Sequence, residues 1–243
     1  MKILGLDSSG IVASVAVVED ETLVAEYTVN YKKTHSQTLL PMLDQVAKMT
    51  ELDLDTIDAI AVAGGPGSFT GLRIGSATAK GLGLALKKPL IGVPTAEALA
   101  FNLYDVPGLV CPIMDARRNQ VYTGIYGFEN HKLQVVEDQM AISIDQLLEK
   151  LNGYAESVTF LGDGVPVFRK VIEEKLTVPY SFAPAHVNRQ RAAAVAALGL
   201  LYYQEGRYES AADHMPDYLR VSQAERERAE RERAQAKAGE DVK

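Results

Sequence analysis

Short apolar runs and one clear helical stripe follow one another along this chain in an order that occurs twice. Ile3-Leu4-Gly5-Leu6 is an apolar run closed by Asp7. Ala13-Ser14-Val15-Ala16-Val17-Val18 and Thr22-Leu23-Val24-Ala25-Glu26-Tyr27 follow, joined by the hairpin signal Glu19-Asp20-Glu21. Over residues 36–49, Leu39, Met42, Leu43, Val46 and Met49 recur at the i, i+3, i+4, i+7 spacing of an amphipathic helix. Leu40 and Ala47 widen that stripe, and Ala59-Ile60-Ala61-Val62-Ala63 then reads as a buried strand ending in glycines. The second half repeats the layout: Val110-Cys111-Pro112-Ile113-Met114 closed by Asp115, then Val121–Tyr126, then Leu133-Gln134-Val135-Val136. A helix over 143–151 and a strand ending in Gly162-Asp163-Gly164 complete it. Two tandem β-β-β-α-β-α units predict an α/β protein with two related subdomains, 1–106 and 107–221, facing a cleft. The boundary falls at Tyr104-Asp105-Val106-Pro107-Gly108, a turn-rich stretch. Residues 222–243 alternate Glu and Arg with no apolar stripe and read as a frayed, solvated helical tail.

The first apolar strand of the glycine kind opens into Gly64-Gly65-Pro66-Gly67-Ser68-Phe69-Thr70-Gly71-Leu72-Arg73-Ile74-Gly75. Pro66-Gly67 marks a turn, and Ser68 or Thr70 offers a side-chain oxygen to cap a helix. Strand, glycine turn and helix N-terminus gather free N–H groups at one point, which suits a phosphate. The same arrangement also lets a helix pack closely on its strand. Gly71, Gly75, Ala79 and Gly83 then recur at i, i+4 spacing, a row that lets another backbone approach. That backbone belongs either to the sheet beneath or to a second chain.

Composition narrows the class. With 243 residues, 47% of them hydrophobic and 23% charged, the chain has the make-up of an ordinary globular protein with a real core. Met1–Leu6 meets Asp7 too early for a signal-peptide core, and no run approaches the roughly 18 apolar residues of a membrane span. The single cysteine, Cys111, forms no internal disulfide and reads as a buried strand residue, so a cytoplasmic location is expected. A net charge of −7 gives little affinity for nucleic acid, so any RNA contact is expected to run through a partner.

No arrangement of nucleophile, base or metal ligands emerges. His35, His131, His186 and His214 are scattered, and no His-Glu-x-x-His, Gly-x-Ser-x-Gly or Walker A sequence occurs. His35-Ser36 reads as a helix start rather than a base beside its nucleophile. An Asp closing a strand before Ser8-Ser9-Gly10 is either a turn former bonding its own backbone or a group facing the cleft.

The duplicated layout resembles the actin-like ATPase (ASKHA, RNase H-like) superfamily. In that fold Asp7 and Asp115 would face a nucleotide cleft, and Ser9, Gly65, Gly67 and Arg118 would be candidates for lining it. Asp7-Ser8-Ser9, His35-Ser36 with Leu39-Leu40-Pro41, the loop over 64–75, Asp115-Ala116-Arg117-Arg118 with Gln120-Val121-Tyr122, and Pro216-Asp217-Tyr218-Leu219-Arg220 resemble the bacterial TsaB (YeaZ) family from residue 1 to about 220. That resemblance implies a role in forming N6-threonylcarbamoyladenosine next to the anticodon of tRNAs reading codons that begin with A. It implies a non-catalytic subunit that binds and orients the catalytic paralogue TsaD, joined by the small ATPase TsaE, with a homodimer when alone. Where the paralogue has two metal-binding histidines, this chain has Thr95 and Leu99, with Glu97 between them. No cofactor, metal or membrane contact is expected, apart from residual ATP or ADP binding at an interface. The first-half hairpin, Ser8-Ser9-Gly10-Ile11-Val12, is a degenerate phosphate site, since it is short and carries two β-branched residues. The resemblance also implies a helical seam with the partner, for which Leu39, Met42, Leu43, Val46, Gly71, Gly75 and Ala79 are the candidates. The alternative is an independent actin-fold ATPase or small-molecule kinase.

Overall fold

The computed structural model describes residues 1–31 and 33–220, and the tail expected over 222–243 lies outside the described residues. Three strands open the chain, β1 (Lys2–Asp7), β2 (Ala13–Glu19) and β3 (Thr22–Val29). Helix α1 (His35–Thr50), strand β4 (Ala59–Gly65), helix α2 (Phe69–Leu86), strand β5 (Leu90–Pro94) and helix α3 (Thr95–Phe101) follow. The order then repeats as β6 (Leu109–Asp115), β7 (Gln120–Glu129), β8 (Lys132–Ser143), α4 (Ile144–Tyr154), β9 (Val158–Leu161), α5 (Val165–Lys175), β10 (Tyr180–Phe182) and α6 (Ala192–Gln204). Each half thus carries one strand and one helix beyond the expected unit. The two sheets have the same strand order, β3-β2-β1-β4-β5 and β8-β7-β6-β9-β10. In each, the first three strands pair antiparallel and the others parallel.

The division near residue 106 separates the sheets but not the helices. α6 packs against β1, β2, β4 and β5 of the first sheet, although it lies late in the chain. Two side chains of that sheet satisfy its start: Ser14 Oγ accepts from the Ala192 N–H at 2.8 Å, and Glu26 accepts from the Ala193 N–H at 3.1 Å. A helix start has unpaired N–H groups, and here another element caps them. α3 packs on β6 and β7 and also on α6, so these two helices form a layer between the lobes. Residues beyond α6 also return to the first lobe, where Glu209 pairs with Leu90 at the edge of β5. Helix α6, within the second subdomain expected over 107–221, thus packs on the first sheet.

Helix boundaries follow local chemistry closely. α4 begins at a full capping box, in which Ser143 Oγ accepts from the Gln146 N–H and Gln146 Oε1 accepts from the Ser143 N–H, both at 3.2 Å. Loss of such a cap costs about 1 kcal/mol, so Ser143→Ala is expected to lower stability by that amount in urea titration. Restoration by Ser143→Asp would identify the cap as the cause. α1 begins where the helix start at His35-Ser36 was expected. It starts at His35 after Thr34, and the Thr34 side chain makes no capping bond. His35 instead turns back to the first hairpin, with Nε2 at 2.8 Å from Gly10 O.

Candidate functional site: the cleft and its glycine loop

The glycine loop and the β1–β2 turn are built as one unit. Gly65 N–H donates to Thr95 Oγ1 at 3.1 Å, Ser68 N–H donates to Ser9 O at 2.6 Å, and Ser8 Oγ donates to Gly71 O at 2.9 Å. Ser68 caps α2, accepting from Gly71 N–H at 3.3 Å, as the sequence suggested. The approach is too close for side chains: a Cβ on Gly67 would meet Ser9 O at 2.3 Å, and one on Gly71 would meet Ser8 O at 2.0 Å. The Gly75 position is closed by Ser8 Oγ, at 2.6 Å from such a carbon. Glycines here serve contact between the loop and its own sheet, and two of the donors a phosphate would need are already bonded to protein.

Asp7 closes β1 at 1% exposure. Its Oδ1 accepts from the Ser9 N–H at 2.8 Å and from Ser9 Oγ at 2.7 Å, which is the bonding of a turn former. Burial raises its carboxyl to about 6, although both Ser9 bonds pull the other way. A cavity of about 570 Å³ lies between the lobes, lined by Ser9 and Gly67 from the first and Asp115, Arg117, Tyr122 and Asp163 from the second. Asp115 Oδ1 accepts from the Arg117 N–H at 2.8 Å. Burial pushes Asp163 up as well, against a backbone bond from Asp115. Three of the candidate lining residues, Ser9, Gly67 and Asp115, are therefore together. Asp7 lies beneath the turn, Gly65 is buried, and Arg118 is exposed; none of these three lines the cavity.

Phe69, Tyr218 and Arg220 complete the cavity wall and were not singled out for it from sequence. Phe69 lay in the quoted glycine loop, and the only signal for Tyr218 and Arg220 was the segment Pro216-Asp217-Tyr218-Leu219-Arg220, whose spacing carries no chemistry by itself.

Positions 95–99 lie at the start of α3 and are wholly internal. Thr95 is spent on Gly65, and Leu99 is buried in the cluster around Tyr126 and Leu161. Glu97 pairs with the Tyr202 hydroxyl, and burial raises its carboxyl. The Tyr126 hydroxyl lies buried close to this pair, and burial pushes it up too. Among the described residues no group of three or more His, Cys, Asp or Glu is placed to hold a metal ion.

The expected seam residues of α1 point inward. Leu39, Met42, Leu43 and Val46 are buried against Leu4, Leu6, Val15, Val62 and Ala79 in the core of the first lobe. Their stripe matches the sheet beneath, so the same periodicity that marks the helix also consumes it. Gly71, Gly75 and Ala79 likewise face the home sheet. The outward face of the pair instead carries Leu40 and Met49 on α1 and Arg73, Ala77, Gly81 and Leu84 on α2.

A family model described as "TsaD: tRNA N6-adenosine threonylcarbamoyltransferase" matches residues 22–228. The tRNA threonylcarbamoyladenosine biosynthesis protein TsaB of Bacillus subtilis is 37% identical over 93% of this chain and 96% of its own. The chain belongs to the TsaB family. Members of that family act in tRNA threonylcarbamoyladenosine biosynthesis, and this TsaB-family chain shares their fold. YeaZ from Pseudomonas aeruginosa, at 24% identity, superposes with a TM-score of 0.74 over 90% of this chain and 99% of that one. A polyphosphate/ATP-glucomannokinase from an Arthrobacter strain, at 13% identity, superposes with a TM-score of 0.50 over 84% and 99%. These chains share the duplicated α/β fold, of the actin-like kind that the sequence layout resembles. No helix among the described residues is long and apolar enough to cross a membrane.

Proposed function

We propose that this TsaB-family protein is a non-catalytic subunit that binds and orients a TsaD-type threonylcarbamoyl transferase acting on tRNA. One observation carries the reading: Thr95 and Leu99, which by the family resemblance stand where the catalytic paralogue has metal-binding histidines, are both engaged internally. The loop that would hold a phosphate is bonded to its own β1–β2 turn, which supports a role without a resident cofactor. TsaE is the further protein partner in this reading, tRNA is reached only through the complex, and the site of action is the cytoplasm. The isolated chain forms a homodimer through the surface that TsaD takes, and ATP or ADP binds only at an interface.

The docking face in this proposal is the outer side of α1 and α2, replacing the inward residues first considered. Gly81 supports it. Glycine inside a helix costs about 1 kcal/mol relative to alanine, and a Cβ at Gly81 would meet nothing within 4 Å. The fold of the single chain gives no reason for that glycine; a partner backbone laid across Ala77, Gly81 and Leu84 gives one. Gly81→Gln is expected to leave the isolated protein folded but monomeric and to abolish co-elution with TsaD. Transfer of threonylcarbamoyl to tRNA by TsaD, TsaE and donor should then fall to the level seen without this protein. Unchanged co-elution and transfer with the variant would remove α2 from the seam. ATP turnover or transfer by the isolated chain would instead favour the ATPase or kinase alternative.

A further inference from the structure

Residues 216–220 cross from one lobe to the other without belonging to either sheet. On the first lobe, the Asp217 N–H donates to Gly64 O at 2.7 Å. The Asp217 carbonyl lies so close to the glycine loop that a Cβ on Gly65 would meet it at 2.1 Å. Tyr218 packs on Phe69 with ring centroids 4.7 Å apart, and the Arg73 guanidinium lies 4.2 Å from the same Phe69 ring. On the second lobe, Gln139 Nε2 donates to the Asp217 carboxylate at 3.2 Å, and Arg220 donates to Ala116 O at 2.8 Å. One residue, Asp217, thus bonds to both lobes.

The segment is anchored before it crosses. Lys80 Nζ donates to the carbonyls of Ala212 and His214 at 2.8 and 2.9 Å. Glu209 and Leu90 exchange two backbone bonds at 2.9 Å, and buried His214 lies 2.6 Å from the Glu209 carboxylate through Nδ1. The crossing residues therefore leave from a fixed point on the first lobe and end on the β6–β7 turn of the second.

Two-lobed proteins with a cleft move about a hinge by default, and a bound ligand commonly holds the closed state. Here the lobes share the α3–α6 layer, and residues 216–220 tie them again across the cleft cavity. We infer that residues 216–220 are a built-in brace that holds the lobes at one opening, in the place where a hinged two-lobed protein would use a ligand. This inference is independent of the partner proposed above. The brace gives the protein a fixed shape without nucleotide, and it bonds the glycine loop on the face a ligand would approach.

The test compares the full chain with chains ending at 220 and at 215. Each carries spin labels at Gln45→Cys on α1 and Glu149→Cys on α4, both exposed, while Cys111 is buried. The full chain and the chain ending at 220 are expected to give one narrow inter-lobe distance. The chain ending at 215 should give a broad distribution, with amides over 64–72 exchanging about tenfold faster or more, as expected when a local contact is lost. The full-length double variant Gln139→Ala with Tyr218→Ala, which leaves both sheets intact, should broaden the distance in the same direction and decides the matter if the shorter chain fails to fold. An unchanged distribution and unchanged exchange in that double variant, or a broad distribution already in the full chain, would overturn the inference.

Discussion

Gly5→Val is expected to cost about 4 kcal/mol of stability, more than an ordinary overpacked core substitution. Any Cβ at position 5 would lie 2.4 Å from the Ala192 carbonyl oxygen and 2.9 Å from the Ala196 Cβ. Both atoms belong to the rigid α6, so neither rotates aside. The helix would have to withdraw from β1, opening the cluster in which Val195, Ala196, Leu198 and Tyr202 pack on Ile3, Ala59 and Ala61. Valine's preference for strands is worth under about 1 kcal/mol and does not compensate. Against a total of about 5–15 kcal/mol for a domain, the loss should appear as a large drop in the urea midpoint with an unchanged slope. A midpoint equal to that of the native protein would mean that α6 is held on the sheet far less tightly than the geometry indicates.

Asp7→Asn is expected to stabilise the protein at neutral pH and to leave it unchanged below about pH 4. The folded chain holds the Asp7 proton up to about 6 against an ordinary 3.8, because burial opposes the charge. A raised carboxyl binds its proton more tightly in the folded than in the unfolded chain. Its contribution is therefore fully present below the unfolded value and is lost as pH rises through the folded one. At pH 7 the ionised group carries a cost of about 3 kcal/mol, the equivalent of that displacement. Asparagine keeps the Oδ1 acceptor for the Ser9 N–H and hydroxyl and removes the buried charge. Urea titrations of both proteins across pH 4–7 should show their stability difference growing with pH and levelling near neutrality. A difference that stays flat would show that Asp7 does not titrate in this way.

The two substitutions mark where sequence reading stopped. Asp7 at the end of an apolar run was readable as a turn former, and Ser9 supplies the donors that make it one. The depth of its burial was not readable, because it depends on α2 and the glycine loop closing over the turn. Gly5 carried no signal at all, since a glycine in a strand looks the same whether a helix or water lies above it. The inward turn of Leu39, Met42, Leu43 and Val46 was open for the converse reason. A stripe specifies a buried face, and only the sheet beneath says that this chain, and not a second one, buries it. Leu40 and Gly81 stood beside those residues in sequence and became the outward face only once the packing was fixed.

Alternation, turn residues and one amphipathic stripe determined the duplicated α/β layout, the first four strands of each half and the strand–glycine turn–helix that opens at 59–75, because these depend on contacts within a few residues. Motif content likewise determined the family. The tertiary structure alone decided that α6 returns to the first sheet, that the loop's donors are spent on the β1–β2 turn, and that residues 216–220 span the lobes. Each of these joins positions far apart in the chain, where the hydrophobic period names a face but not the surface it meets.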